Sequence, residues 1–247
     1  MTIQHVPRIR VFAGPNGSGK TTLVQKLQAI NLPLYHVINP DDIEQKLNSK
    51  AGLDLSYLGS NVLEIDFLRY VGQTTYSSEV KNASRRIRFD GNAMFVKYSA
   101  EGSYNAALVA GFLRRQLVEA RKSFSFESVF SHGSKLDELR LAKKRGFRIY
   151  LYYVATEAPE LAIGRVMERV ASGGHSVPEK KIRTRYAASL LNLLPALRIA
   201  YRAYVFDNSG SESKLLAEKT PHGNLNLVCE RLPIWFNTHV IKSLAQQ

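Results

Sequence analysis

The stretch Gly14-Pro15-Asn16-Gly17-Ser18-Gly19-Lys20-Thr21 matches G-x-x-x-x-G-K-[ST], and its reading decides the fold. Glycines at 14, 17 and 19 open backbone dihedrals closed to other residues, so consecutive N–H groups can turn inward around a phosphate at the start of a helix. Lys20 then reaches the β- and γ-phosphates as a point charge, and the Thr21 hydroxyl becomes a Mg²⁺ ligand. The flanks supply the context that such a motif requires. Ile9-Arg10-Val11-Phe12-Ala13 is a short apolar run of strand type, and Thr22-Leu23-Val24-Gln25-Lys26-Leu27 carries its leucines at helical spacing. The loop, with Thr22 behind it, is the candidate ATP site.

Working outward, Leu34 to Ile38 reads as a second strand that ends in Asn39-Pro40-Asp41-Asp42-Ile43. A carboxylate at the C-terminal end of a strand sits where open α/β sheets bind ligands, so Asp41 is a candidate catalytic base. The alternative is an N-cap for the helix Ile43 to Leu47. Phe124-Ser125-Phe126-Glu127-Ser128-Val129-Phe130 has the aromatic and β-branched content of a buried strand, interrupted by Glu127. A carboxylate there is costly to leave unpaired. It should therefore face Mg²⁺ through water, a substrate hydroxyl or Lys20; a structural ion pair is the other reading.

A helix is expected from Ser103 to Arg121, with its apolar stripe at 106, 110, 113, 117 and 120 and with Arg114, Arg115 and Arg121 outside it. Further on, a helix Lys135 to Arg145 leads into a strand Phe147 to Val154, followed by a helix Pro159 to Val170, a turn Ala171 to Pro178 and a helix Glu179 to Tyr201. Arg165 and Arg169 lie four apart on the first of these last two helices, and Lys181, Arg183 and Arg185 open the second. Such an arginine-bearing helix, hinge and helix suits a phosphoryl-transfer lid, with Arg165, Arg169 and Arg185 as candidate ATP contacts. His175 in the hinge either touches substrate or has no role. Tyr204 to Phe206 reads as a fifth strand, with Asp207-Asn208-Ser209 as its exit loop beside the adenine.

Between about 50 and 100 the pattern is weak, except that Arg85 to Tyr98 alternates on both sides of Asp90-Gly91 in the manner of a hairpin. Its basic, aromatic strands suit single-stranded nucleic acid or a solvated flap. Leu225 to Glu230 and Pro233 to Leu244 read as a strand and a helix, with Trp235 as a packing residue. With no repeats and no linker rich in Pro, Gly or Ser, residues 1–247 are expected to form one domain, in which 50–100 is an insertion and 225–247 a C-terminal extension.

Composition narrows the class. Hydrophobic residues make up 45% of 247, enough for a sizeable core, and a formal charge of +13 favours anionic partners: nucleotides, sugar nucleotides, nucleic acid or an acidic protein. The single cysteine, Cys229, permits no intramolecular disulfide and no cysteine-based metal site, and it reads as a core thiol of a protein in a reducing cytosol. Met1 to His5 lacks the pattern of an export signal, and no run of about eighteen apolar residues occurs, so a cytoplasmic protein without a membrane partner is expected.

The ordered set of motifs resembles the zeta-toxin family of P-loop kinases. The likeness is carried by Gly14 to Thr21, by Ile38-Asn39-Pro40-Asp41-Asp42-Ile43 and by Phe124-Ser125-Phe126-Glu127-Ser128. It continues through Leu161 to Val170, Gly173 to Glu179, Arg185-Tyr186 and Asp207-Asn208-Ser209. The resemblance implies a P-loop NTPase-type three-layer α/β sandwich with a mainly parallel, five-stranded central sheet, the insertion, and the helical arginine-bearing lid. It implies a kinase that uses ATP and Mg²⁺ to phosphorylate the 3′-hydroxyl of the N-acetylglucosamine in UDP-N-acetylglucosamine, a toxin paired with an antitoxin protein. Asp41 matches the family's base, Lys20 and Thr21 its phosphate and Mg²⁺ contacts, Glu127 its third-strand carboxylate and Arg169 a lid arginine. This chain departs from the family at Ser128-Val129, where many relatives have two threonines, so a substrate-contacting hydroxyl is lost or moves to Ser128. The arginine that relatives carry near the start of the preceding helix is absent around Asn105 to Leu108. The alternatives are a kinase for a nucleoside, NAD, an antibiotic or a nucleic-acid end, and a nucleotide-dependent binding module.

Overall fold

The computed structural model describes residues 6–59, 62–74, 77–97, 103–173 and 176–245. Its contacts divide the chain into two compact units, one made of Met1–Leu34 with Ser125–Gln247 and the other of Tyr35–Phe124. The first unit begins with β1 (Arg8–Ala13) and passes through the glycine-rich loop into α1 (Lys20–Ala29). The second holds β2 (His36–Ile38), α2 (Pro40–Leu47), β3 (Leu53–Asp54), α3 (Glu64–Gln73), α4 (Ser78–Ala83), β4 (Ile87–Asp90), β5 (Ala93–Val96) and α5 (Ser103–Glu119). The chain returns with β6 (Phe124–Ser128), α6 (Ser134–Lys144), β7 (Arg148–Ala155), α7 (Pro159–Ala171) and α8 (Glu179–Ile199). It closes with β8 (Arg202–Asp207), β9 (Lys214–Lys219), β10 (Leu225–Leu227) and α9 (Ile234–Phe236), which runs on through a π-helical turn, Asn237–Ile241, into α10 (Lys242–Ala245).

In the first unit the strands lie in the order β10-β9-β8-β7-β1-β6. β1 and β8 both pair in parallel with β7, so that Phe12, Tyr152 and Tyr204 fall in register across three strands. Side chains alternate between the faces of a strand, and neighbouring residues of β7 show where each face packs. Tyr152 and Val154 join Phe12 against Leu23 and Val24 of α1, while the hydroxyl of Tyr153, on the other face, is 2.9 Å from Ser189 Oγ of α8. A helix layer therefore covers each face, giving a three-layer sandwich. Val11, Leu151 and Val205 are fully buried along the middle strands, each contributing about 1.5–3 kcal/mol.

In the second unit β5 pairs antiparallel with β3 and β4. Asp90 faces Ala93 across a two-residue turn in which Gly91 takes φ 56°, the hairpin expected from Asp-Gly. The Arg88 guanidinium stacks 4.1 Å from the centre of the Phe95 ring and pairs with Asp90 at 3.6 Å. α5 packs against α2, α3 and α4, and the Phe112 ring meets Phe67 edge-on at 5.2 Å.

Several expectations are corrected. The first unit alone aligns six strands, because β9 and β10 extend the parallel part antiparallel. Lys214 to Lys219 is built of Leu, Ala, Glu and Lys, all helix formers, and its strand comes from pairing with β8 rather than from propensity. Arg114 is 6% exposed and Ala120 exposed, since the helices around α5 bury more of its girth than a single stripe. The cap of α2 is Asn39, whose Oδ1 accepts from the Asp41 N–H at 2.9 Å, with Pro40 in the first turn; the Asp41 carboxylate does no capping. Cys229 is only half-buried, and its thiol donates to the Leu215 carbonyl at 3.1 Å. The second unit starts at Tyr35, well before the insertion read from sequence, because α2 and α5 pack on each other. No helix among the described residues is long and apolar enough to cross a membrane. Gly174 and His175, with the substrate role suggested for His175, lie outside the described residues.

Candidate nucleotide-binding site

The glycine-rich loop occupies the gap between the end of β1 and the start of α1. Gly14 takes φ 142°, and a Cβ on it would stand 1.9 Å from the Val154 carbonyl oxygen of β7; its N–H donates to the Ser128 carbonyl at 3.2 Å. Gly19 takes φ 95° and is as closely confined: a Cβ there would stand 2.2 Å from Asn208 Nδ2. The conformation excludes a side chain at both, and at Gly14 the β7 backbone does so as well. Pro15, Asn16, Gly17 and Ser18 complete the loop, in which Asn16 Oδ1 and Ser18 Oγ are buried without a hydrogen-bond partner. Buried polar atoms are almost always satisfied, and the Ser18 hydroxyl is a donor that a phosphate oxygen would satisfy, whereas Asn16 Oδ1 can only accept and calls for a donor.

Lys20 opens α1, followed by Thr21 and Thr22 in the first turn, and its ammonium donates to the carbonyls of Gly14 at 2.9 Å and Pro15 at 2.7 Å. Burial pushes its pKa down to about 8; the Glu127 carboxylate opposes that shift and the Arg169 guanidinium adds to it. Thr21 Oγ1 donates to Glu127 Oε2 at 3.1 Å. Glu127 thus pairs with the Thr21 hydroxyl and stands close enough to Lys20 to act on its charge. A hydroxyl and a carboxylate oxygen suit Mg²⁺, which keeps several of its waters; among the described residues no cluster of three or more His, Cys, Asp or Glu side chains could hold a metal ion.

Of the arginines, Arg169 lies close enough to Lys20 to depress its pKa. Arg165, one turn earlier in α7, donates to the Asn208 carbonyl at 2.7 Å and is thereby tied to the loop after β8. Arg183 pairs with Glu160 and Glu179, linking the starts of α7 and α8. Arg185 lines a groove of about 480 Å³ with Ser131, Lys180, Lys181 and Thr184. Ser128 Oγ accepts from the Phe130 N–H at 3.0 Å, within the turn that ends β6. Asp41 belongs to the second unit, exposed in the first turn of α2.

One residue here was legible in the sequence only as part of a loop. Asn208 Nδ2 donates to the Ser18 carbonyl at 2.8 Å, so the exit of β8 grips the phosphate loop. The signal was the polar triplet Asp207-Asn208-Ser209 directly after a strand.

Residues 96–213 match the family model described as Zeta toxin. The zeta-toxin resemblance holds. The matched span contains Glu127, Arg165, Arg169, Arg185 and Asn208, and the phosphate loop lies upstream of it. A protein of Haemophilus influenzae described as uncharacterized is 35% identical over 63 residues, 26% of this chain and 45% of that one. The crystal structure of AvrRxo1-ORF1:-ORF2 with ATP is 14% identical, at a TM-score of 0.56 over 91% of this chain and 61% of that one. The PezAT chromosomal toxin–antitoxin system of Streptococcus pneumoniae is 15% identical, at a TM-score of 0.48 over 86% of this chain and 72% of that one. This chain therefore spans less than half of the Haemophilus relative and about three-fifths of the AvrRxo1-ORF1 structure's chain, with which it shares the fold.

Proposed function

We propose that the chain is an ATP-dependent kinase of zeta-toxin type that transfers the γ-phosphate to a sugar hydroxyl, that of UDP-N-acetylglucosamine. The observation that carries the kinase reading is the junction of Lys20, Thr21 and Glu127 beside a loop whose buried Ser18 hydroxyl has no hydrogen-bond partner. In an in-line transfer the acceptor oxygen forms a bond to the γ-phosphorus as the bond to the bridging oxygen of ADP breaks. Asp41 would take the acceptor's proton, its carboxylate being free of capping duty. Lys20 would bind the β- and γ-phosphates once its ammonium leaves the Gly14 and Pro15 carbonyls. Arg169 would add positive charge beside the γ-phosphate, with Arg165 and Arg185 as further ATP contacts and Glu127, Ser128 and His175 on the acceptor. Mg²⁺, held by Thr21 directly and by Glu127 through water, would supply charge neutralisation on the phosphate oxygens.

An antitoxin partner and action in the cytoplasm, where ATP is at hand, belong to the same reading. Transfer of labelled γ-phosphate from ATP to UDP-N-acetylglucosamine tests it, with Asp41→Asn as control. The variant should lose about 10²–10⁴-fold in rate and still bind ATP. Transfer to a nucleoside or NAD instead would keep the kinase and replace the acceptor, whereas tight ATP binding with no turnover on any acceptor would reduce the chain to a binding module.

A further inference from the structure

The loop after β8 is held from three sides and itself holds the phosphate loop. Asn208 donates its backbone N–H to the Ala155 carbonyl at 2.8 Å, accepts at its own carbonyl from Arg165 and donates its side-chain amide to the Ser18 carbonyl. Its Nδ2 also fills the space that a Gly19 side chain would need. On either side of it, Asp207 Oδ1 accepts from Ser209 Oγ at 2.8 Å and from Trp235 Nε1 at 2.9 Å. Ser209 Oγ in turn accepts from the Glu157 N–H at 2.7 Å, and Glu157 Oε1 accepts from the Ile234 N–H at 3.0 Å. A continuous series of bonds thus joins the C-terminal segment, at Ile234 and Trp235, to the carbonyl just before Gly19.

We propose that Asn208 is the positioning residue of the phosphate loop and that the C-terminal segment, through Trp235 and Asp207, is a structural part of the phosphate site. This rests on the nucleotide-binding reading of the loop but not on the acceptor. Fixing the Ser18 carbonyl fixes the peptide whose N–H belongs to Gly19, one of those that turn toward a bound phosphate. Trp235 is 3% exposed, so its indole donor has the aspartate in place of water. An amide is required at 208, because an aspartate would set oxygen against the Ser18 carbonyl oxygen.

Binding of ATP and of inorganic tripolyphosphate, both with Mg²⁺ and measured by calorimetry, separates the loop from the adenine. Asn208→Asp should weaken both ligands in parallel, by about tenfold or more, and Trp235→Phe should weaken both several-fold although its ring still packs. Loss confined to ATP would make Asn208 an adenine contact and overturn the proposal. Unchanged affinity for both, with only the Tm lowered, would leave the network purely structural and overturn it as well. If Asn208→Asp does not fold, Trp235→Phe decides alone. A wild-type chain that binds neither ligand would instead refute the nucleotide site, a failure distinct from these.

Discussion

Thr21 Oγ1 and Glu127 Oε2 meet at 3.1 Å although 106 positions separate them, and the hydroxyl next to Lys20 is thereby committed to a carboxylate. If both residues serve one Mg²⁺, their removal is not additive. Thr21→Ala and Glu127→Gln should each lower turnover by about 10²-fold, and the double variant should be little worse than either, because side chains that act as a unit lose their effect together. Turnover against Mg²⁺ concentration checks this; fully multiplicative losses would mean that they act separately.

The lowered pKa of Lys20 has a signed consequence. Its value falls from 10.5 to about 8, so between those pH values the unfolded chain binds more protons than the folded one. The Lys20 contribution to stability therefore rises with pH through that window. Relative to Lys20→Met, the wild type should gain about 1–2 kcal/mol between pH 7.5 and 9.5. Urea unfolding of both proteins at the two pH values measures the difference, and an unchanged gap would show that the ammonium is better solvated than its surroundings indicate.

Gly14→Ala should fail differently from a loss of charge. The added methyl meets the Val154 carbonyl within a β7 strand that cannot shift, and the backbone angle is wrong for alanine as well. A loss of about 3 kcal/mol or more in unfolding free energy is expected, together with loss of ATP binding. An alanine variant as stable as wild type would require a differently shaped loop.

Asn105, in the first turn of α5, is 2% exposed, and neither atom of its amide has a hydrogen-bond partner among the described residues. Leucine has nearly the same shape and nothing to satisfy. Asn105→Leu should stabilise the chain by about 1–2 kcal/mol, read as a higher midpoint in urea at unchanged slope. A lower midpoint would mean that the amide is satisfied by bound water.

The phosphate loop, the parallel strands and the hairpin were legible because each is dictated locally: glycines at fixed spacing, apolar runs of strand length, Asp-Gly between alternating stretches. Glu127 was legible for a similar reason, a charge in an apolar strand that demands a partner. What sequence hid was set by distant contacts. β9 is composed of helix formers and becomes a strand only beside β8, Arg114 is buried on a helix against which three others pack, and the grip of Asn208 on Ser18 spans 190 positions. Asp41 illustrates the middle case: Asn39 takes the capping role that was one of its two readings, and the other stands as a proposal.

The first unit is discontinuous along the chain, and that orders its biosynthesis. β1 leaves the ribosome early, yet its partner in β7 follows 140 positions later, as Arg8 pairs with Arg148. At about 5–20 residues per second, synthesis of the intervening chain takes on the order of ten seconds. The Asp41 unit is complete by Phe124, whereas the phosphate loop gains Glu127 and the Asn208 grip only afterwards. A nascent chain interrupted before Asn208 therefore carries the glycine-rich loop without the bond to the Ser18 carbonyl that holds it.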